Sequence, residues 1–159
     1  MNLVEVGTLV TADFPVDALR EHLRLGTGFG EDALQDDVLE GFLRAAVAAV
    51  EARTGKVLLS RDFLMTLSVW RTASGQDLPV APVSAIGSVV LRDHAGAEEP
   101  LELDSIRLIE DQHHPSIRSP GFCLPTIPLN GEAAIGFTAG YGAWVDVPED
   151  LKQAVLLLA

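Results

Sequence analysis

A group of potential metal ligands lies in the second half of the chain. It comprises four residues within a five-residue stretch: Glu110, Asp111, His113 and His114. Carboxylates and imidazoles bind divalent metals, so this group would suit a metal-dependent hydrolase. Neighbouring residues of an extended segment point in opposite directions, however, so the two histidines would seldom share one ion. We interpret the group as exposed loop polarity and expect no metal site.

Two glycine-containing segments could suggest phosphate binding. Gly26–Gly30 precedes a helix, but it lacks the final glycine of the dinucleotide fingerprint and places Glu31 and Asp32 where a phosphate would lie. Thr54–Lys56 lacks the earlier glycine of a phosphate-binding loop, and a helix C-cap explains it better. We therefore expect no nucleotide cofactor.

Residues suited to nucleophilic or acid–base catalysis also lack the required surroundings. No serine lies in a Gly-x-Ser-x-Gly or Ser-x-x-Lys setting, and Cys123 lies among prolines with no histidine nearby in sequence. Asp36 and Asp37 form a carboxylate pair on a helix, but catalytic pairs need burial to shift their pKa values. The sequence predicts no catalytic residues, no cofactor and no enzymatic activity.

The first third of the chain has helical periodicity. Apolar spacing predicts a short helix over Val16–Leu23 and a longer one from Glu31 to Thr54, ended by Gly55 in a left-handed cap. The longer helix carries two apolar stripes. One comprises Leu34, Val38, Phe42, Ala45 and Ala49, and the other comprises Leu39, Leu43, Ala46 and Val50. Together they cover an arc of about 200°, wider than one packing partner requires, so we expect neighbours on two sides, one of which could belong to another subunit.

From Val57 the apolar period changes from 3.6 to 2, which is typical of strands. The predicted alternation includes the following residues: Phe63, Met65, Leu67, Val69, Val89 and Leu91. Turns are predicted at Ser74–Asp77 and at Ala95–Gly96, the second followed by a hairpin partner at Leu101–Leu103. Further strands are predicted at Ile106–Ile109 and Ala133–Thr138, and the proline-rich stretch between them is predicted to be edge or loop.

The chain ends in a third predicted helix that begins at Pro148. Leu151, Val155 and Leu158 would dock on the first two helices, while Leu156 and Leu157 point elsewhere and would be exposed unless a partner covered them.

The predicted fold is α+β: a small helical bundle of two N-terminal helices plus a C-terminal helix, with an inserted antiparallel β region. We expect a single domain over residues 1–159, with segments 1–56, 57–147 and 148–159.

Composition and charge limit the function further. Hydrophobic residues make up 48% of the chain, which is typical of a folded domain, and 11 basic against 23 acidic side chains give a net charge of -12. No basic cluster is present, which argues against binding to a phosphate backbone. The longest apolar run, Ala45–Val50, is too short to cross a bilayer, and the N-terminus lacks a basic signal region. We expect a soluble protein that stays in the cytoplasm where it is made.

Three segments occur in an order known from one family. They are Glu51–Leu58 at a helix-to-strand junction, Leu64–Leu67 leading to Trp70, and Phe137–Gly142 followed by Val147–Ala154. Together they resemble the head-tail connector (adaptor) proteins of long-tailed bacteriophages, prophages and gene transfer agents. The resemblance covers about residue 15 to the end of the chain.

The resemblance implies a structural virion protein that forms a ring, commonly twelve-membered, under the portal. Its partners would be the portal protein, other copies of itself and a downstream neck (stopper) or tail protein, with DNA only as passing cargo and no membrane. It would assemble in the host cytoplasm and then lie in the particle neck. The predicted partner interface comprises Leu151, Val155, Leu156, Leu157, Leu158, Leu39, Leu43 and Val50.

The alternative function is a small-ligand or peptide-binding module that uses the β region around Trp70 and Trp144, because aromatic residues are effective anchors.

We predict that the isolated protein does not bind duplex DNA at physiological salt, because an acidic chain without a basic cluster offers no phosphate contacts. An electrophoretic mobility-shift assay with a random-sequence duplex checks this, with a basic DNA-binding protein as the positive control. Tight retention that weakens steeply as salt is raised would contradict it.

Overall fold

A computed structural model describes the backbone of residues 1–24 and 32–159, and the side chains of the same residues except 32–34. The predicted loop at Gly26–Gly30 and the predicted helix start at Glu31 lie outside the described residues. The chain divides into two compact units. The β unit comprises Met1–Thr8 and Ser60–Gly140, and the helical unit comprises Leu9–Leu59 and Tyr141–Ala159.

The helical unit contains three α-helices: α1 (Val16–His22), α2 (Asp32–Thr54) and α3 (Glu149–Leu158). The predicted end of α2 is confirmed, because Gly55 adopts a φ of +67° and its N–H donates to the Glu51 carbonyl at 2.9 Å. This left-handed conformation is one that glycine adopts without a Cβ clash. The two parts of the unit meet where the Tyr141 N–H donates to the Leu58 carbonyl at 3.3 Å.

One hydrophobic core fills the helical unit. Its buried members are Phe14, Leu19, Leu39, Leu43, Ala46, Val47, Val50, Leu58, Leu59, Val147 and Val155. Five of these come from α2, where they fall on one face because positions three and four apart are neighbours on a helix. The burial of this face holds α1 and α3 against α2.

The β unit contains two antiparallel sheets. One has the strand order β1-β2-β8-β4-β5 and the other has the order β3-β7-β6. The strands are β1 (Asn2–Val6), β2 (Arg61–Leu67), β3 (Gly75–Asp77), β4 (Val83–Arg92), β5 (Glu98–Pro100), β6 (Arg107–Ile109), β7 (Ser116–Arg118) and β8 (Glu132–Ala139). The predicted α+β class, with three helices and antiparallel sheets, is confirmed.

The predicted period-2 pattern is confirmed in the larger sheet. Phe63, Met65 and Leu67 of β2 are buried, as are Val89 and Leu91 of β4. On the neighbouring strand, Phe137 lies opposite Phe63 and the two rings stack with centroids 5.8 Å apart. Apolar side chains on one face of adjacent strands stabilise the sheet as cross-strand pairs.

Four details of the predicted β region are wrong. Strand β2 ends before Val69, which is 74% exposed. Gly75–Asp77 is not a turn but strand β3, and the hairpin partner after Ala95–Gly96 is Glu98–Pro100 instead of Leu101–Leu103. The proline-rich stretch contains β7, the central strand of the smaller sheet. Strands β3 and β7 pair with each other although they are distant in sequence, and local patterns do not report such pairing.

Strand β1 was not predicted. It pairs along its whole length with β2, from Asn2 opposite Thr66 to Val6 opposite Asp62. Its side chains are mostly exposed, so the strand lacks the strict alternation of a half-buried strand. The segment lies at the edge of the sheet and pairs only with β2, so it forms a strand although its apolar pattern is weak.

We predict that Gly131→Ala lowers the free energy of unfolding by about 1–3 kcal/mol, since an added Cβ would collide with a backbone atom. Gly131 precedes β8, and a Cβ there would fall well inside contact distance of the Arg92 carbonyl oxygen. Urea denaturation measures the effect. Gly121→Ala is the control, since its Cβ would be 3.6 Å from the Ser119 hydroxyl, an ordinary contact. Equal stability of the two variants would contradict the expectation.

Candidate interaction surface

Helix α2 has an exposed apolar face beside its buried one. Val38 and Phe42 are 55% and 52% exposed, whereas the adjacent Leu39 and Leu43 are 5% and 0% exposed. Seven exposed, uncharged residues lie within an arc of about 120° at 100° per residue. They are Val38, Gly41, Phe42, Ala45, Ala48, Ala49 and Ala52, and we call this surface the open face.

The open face is long and shallow. From Val38 to Ala52 it extends about 21 Å along the helix at 1.5 Å per residue. Five of its seven residues are glycine or alanine, and a Cβ placed on Gly41 would have no neighbour within 4 Å. Small side chains allow a neighbouring element to approach the helix backbone closely.

Two charged side chains of α2, Arg44 and Glu40, are engaged within the helical unit. Arg44 pairs with Glu40 at 2.6 Å, donates to the Leu9 carbonyl at 3.0 Å and places its guanidinium 4.4 Å from the centre of the Phe14 ring. The hydrogen bond from Arg44 to the Glu40 carboxylate lowers the pKa of Glu40, with a further contribution from Thr11. These contacts hold Arg44 and Glu40 on a side of α2 outside the open face.

A second exposed apolar surface lies at the end of α3. Leu157 and Leu158 are 69% and 62% exposed, and we call them the terminal pair. Val155 is fully buried, while Leu151 and Leu156 pack against the core of the helical unit. The predictions for Leu156 and Leu158 are therefore wrong. Leu156 packs against the core, whereas Leu158, in the last turn of α3, is exposed to solvent.

Four residues of the predicted partner interface lie in the chain's own core. They are Leu39, Leu43, Val50 and Val155, none more than 5% exposed. Buried side chains offer little surface to a partner, so the accessible part of the predicted interface is the terminal pair with Leu151 and Leu156. An interface at those residues stays a prediction. The expectation that α2 has a second apolar side beyond its own core agrees with the open face, although the Leu34 side chain is not described.

The residues considered for catalysis or metal binding have structural contacts or are exposed. The Asp111 carboxylate accepts the backbone N–H groups of His113 and His114, each at 2.7 Å, and these bonds lower its pKa. Asp36 forms an ion pair with Arg20. Within residues 1–24 and 32–159, no group of three or more potential ligands is placed to hold a metal.

The two tryptophans lie in different units. Trp70 belongs to the β unit, where its indole N–H donates to the Pro125 carbonyl at 2.7 Å and its ring lines a cleft of about 410 Å³ with Val69 and Cys123. Trp144 packs on the core of the helical unit. The prediction that both tryptophans belong to the β region is therefore wrong.

Among the helices described, none combines the length and the apolar character needed to cross a membrane.

Three solved structures contain chains similar to this protein. A chain in the neck of an empty gene transfer agent particle, computed with six-fold symmetry, is 45% identical with a TM-score of 0.94, over 99% of this chain and 81% of that one. A chain in the neck of the native particle, computed with twelve-fold symmetry, is 42% identical with a TM-score of 0.88, over 99% and 80%. A chain in the virion of the native particle is 45% identical with a TM-score of 0.90, over 99% and 81%.

These relatives are chains of gene transfer agent particles, and this chain therefore belongs to the class of virion structural proteins. The chain is a member of the gene transfer agent neck protein family. No protein-family model matches it, and no curated protein sequence does so. The resemblance to connector proteins is therefore confirmed as far as the particle and its neck.

The different burial of two adjacent residues on α2 predicts losses of stability of different size. Leu43→Ala is expected to lower the free energy of unfolding by about 2–5 kcal/mol, because it opens a cavity in the core. Phe42→Ala is expected to cost less than about 1 kcal/mol, since half of the ring is already in solvent. Thermal and urea denaturation of the two variants measure the difference. A loss for Phe42→Ala as large as that for Leu43→Ala would show that the ring is part of the core.

Proposed function

We propose that the protein is a head-tail connector of a gene transfer agent or a related long-tailed phage particle. It forms a ring beneath the portal, extends the DNA channel and joins the head to the tail. The observation that supports this most is the 45% identity and TM-score of 0.94, over 99% of the chain, to a chain in a gene transfer agent neck.

A ring is supported by the symmetry used for the relatives, whose necks were computed with six-fold and twelve-fold symmetry. We propose a twelve-membered ring for this chain. A closed ring with one rotation axis joins each subunit to the next through two different surfaces. In this ring the partners of each subunit are other copies of the chain. The portal lies above the ring and a downstream neck or tail protein lies below it.

The charge of the chain suits a conduit through which DNA passes. The helical unit carries 12 acidic and 6 basic side chains and the β unit carries 11 and 5, so each unit has a net charge of -6. Whichever unit faces the channel, its net charge repels phosphate and opposes adhesion of DNA. DNA is thus a passing cargo and not a bound ligand.

The proposed role needs no reaction chemistry and no cofactor. Asp36 and Asp111, the carboxylates that stood out in the sequence, are engaged by Arg20 and by the backbone N–H groups of a loop. The protein would act after its synthesis in the host cytoplasm, by binding its neighbours in the particle neck.

The end of α3 is the surface we assign to the portal. Two adjacent leucines that are each more than 60% exposed at a helix end form an apolar patch that favours a partner. Leu151 and Leu156 lie on the same helix and are only partly buried, so they can extend the contact.

We predict that Leu157→Asp with Leu158→Asp leaves a folded protein but reduces its incorporation into particles at least tenfold. The core is kept because both side chains already face solvent, whereas the charges would oppose apolar docking. Circular dichroism and cooperative melting report folding, and immunoblots of purified particles report incorporation.

Gln153→Asp is the matched control, because it adds a charge to the same helix at an exposed polar position. It should assemble at the level of the unchanged protein. Normal particle yield and normal incorporation of the double variant would exclude the terminal pair from the portal contact.

A further inference from the structure

We infer that the open face of α2 packs against a second copy of this chain in the neck. This inference rests on the proposed ring and names the surface through which neighbouring subunits meet. The surface differs from the predicted interface at Leu39, Leu43 and Val50, because those three residues are buried in the core of the helical unit.

The open face has the composition of a contact surface. An exposed helix face in a monomer is normally charged or polar, yet the seven residues of this face include no charged or hydrogen-bonding side chain. Val38 and Phe42 both remain about half exposed. On a chain with 34 charged residues, an uncharged arc of about 120° is a surface that favours contact with another molecule.

Charge favours a second copy as that molecule. Every copy carries a net charge of -12, so two copies repel each other wherever their acidic surfaces meet. Contact between copies is favoured where no charge has to be brought together or desolvated, and the open face fulfils this condition. A partner recognised through positive charge would instead bind the acidic surfaces that both units offer.

The size of the open face explains why the contact would need the ring. A surface about 21 Å long and about 10 Å wide covers about 200 Å², well below the roughly 800 Å² per partner of a stable interface. The face would therefore be the apolar part of a larger contact. In a closed ring each subunit is held on both sides, and the open face of one copy meets a different surface of the next.

Site-specific photo-cross-linking in assembled particles tests the inference. The full chain carries benzoylphenylalanine in place of Phe42, particles are purified and irradiated, and the cross-linked peptides are identified by mass spectrometry. We expect a product of twice the 17.0 kDa chain mass that contains peptides of this chain only. The same group in place of Leu157 is the comparison, for which the proposed partner is the portal.

The outcomes separate this inference from the proposed function. If the protein is present in particles and Phe42 cross-links only to a different protein, or to none, the inference is wrong and the connector role stands. If the protein is absent from particles, both are wrong. A cross-link between copies at Phe42 supports the inference.

A charge variant gives an independent test. Ala49→Asp should fold, since Ala49 is exposed on the open face, and its incorporation into particles should fall at least tenfold. Gln153→Asp, with the same added charge elsewhere in the helical unit, should be incorporated normally. Incorporation of Ala49→Asp at the level of the unchanged protein would overturn the inference.

Discussion

Burial of one face of α2 is the interaction on which the helical unit depends. Leu39, Leu43, Ala46, Val47 and Val50 enter the core together, and both α1 and α3 pack against this helix. Short helices are marginal alone in water, so the seven residues of α1 and the ten of α3 depend on that packing for their stability. Because the buried face occupies only part of the apolar arc of α2, the packing that stabilises the unit also leaves the open face uncovered.

Two charged side chains of α2, Arg44 and Glu40, lie outside both its buried face and its open face. Arg44 lies beside the buried face of α2 and is held by Glu40, by the Leu9 carbonyl and by the ring of Phe14. A long cationic side chain fixed in this way covers apolar surface with its stem and keeps its charge at the edge of the unit. The helix therefore has a buried side, a charged side and an uncharged exposed side, which is the arrangement expected of a subunit that packs both internally and against neighbours.

Membership of a neck protein family gives these surfaces a context. In the connector role that we propose, the chain binds neighbours in the neck while DNA passes without adhering. The net charge of -12 opposes adhesion of DNA, and the open face and the terminal pair are exposed apolar surfaces available to neighbours. The Trp70 indole and the Asp111 carboxylate make their hydrogen bonds within the β unit.

The sequence by itself determined the three helices, the end of α2 and the main strands of the larger sheet, because these follow from local periodicity and from the conformational freedom of Gly55. It also determined the net charge of -12, and its motifs indicated the family. Only the tertiary structure decided which of the two apolar stripes of α2 is buried, since both satisfy a helical period equally well. It likewise decided that Leu156 turns inward and Leu158 outward, and that Asn2–Val6 and Gly75–Asp77 form strands. In each case the deciding contact joins residues far apart in the sequence, and a local pattern carries no information about such a contact.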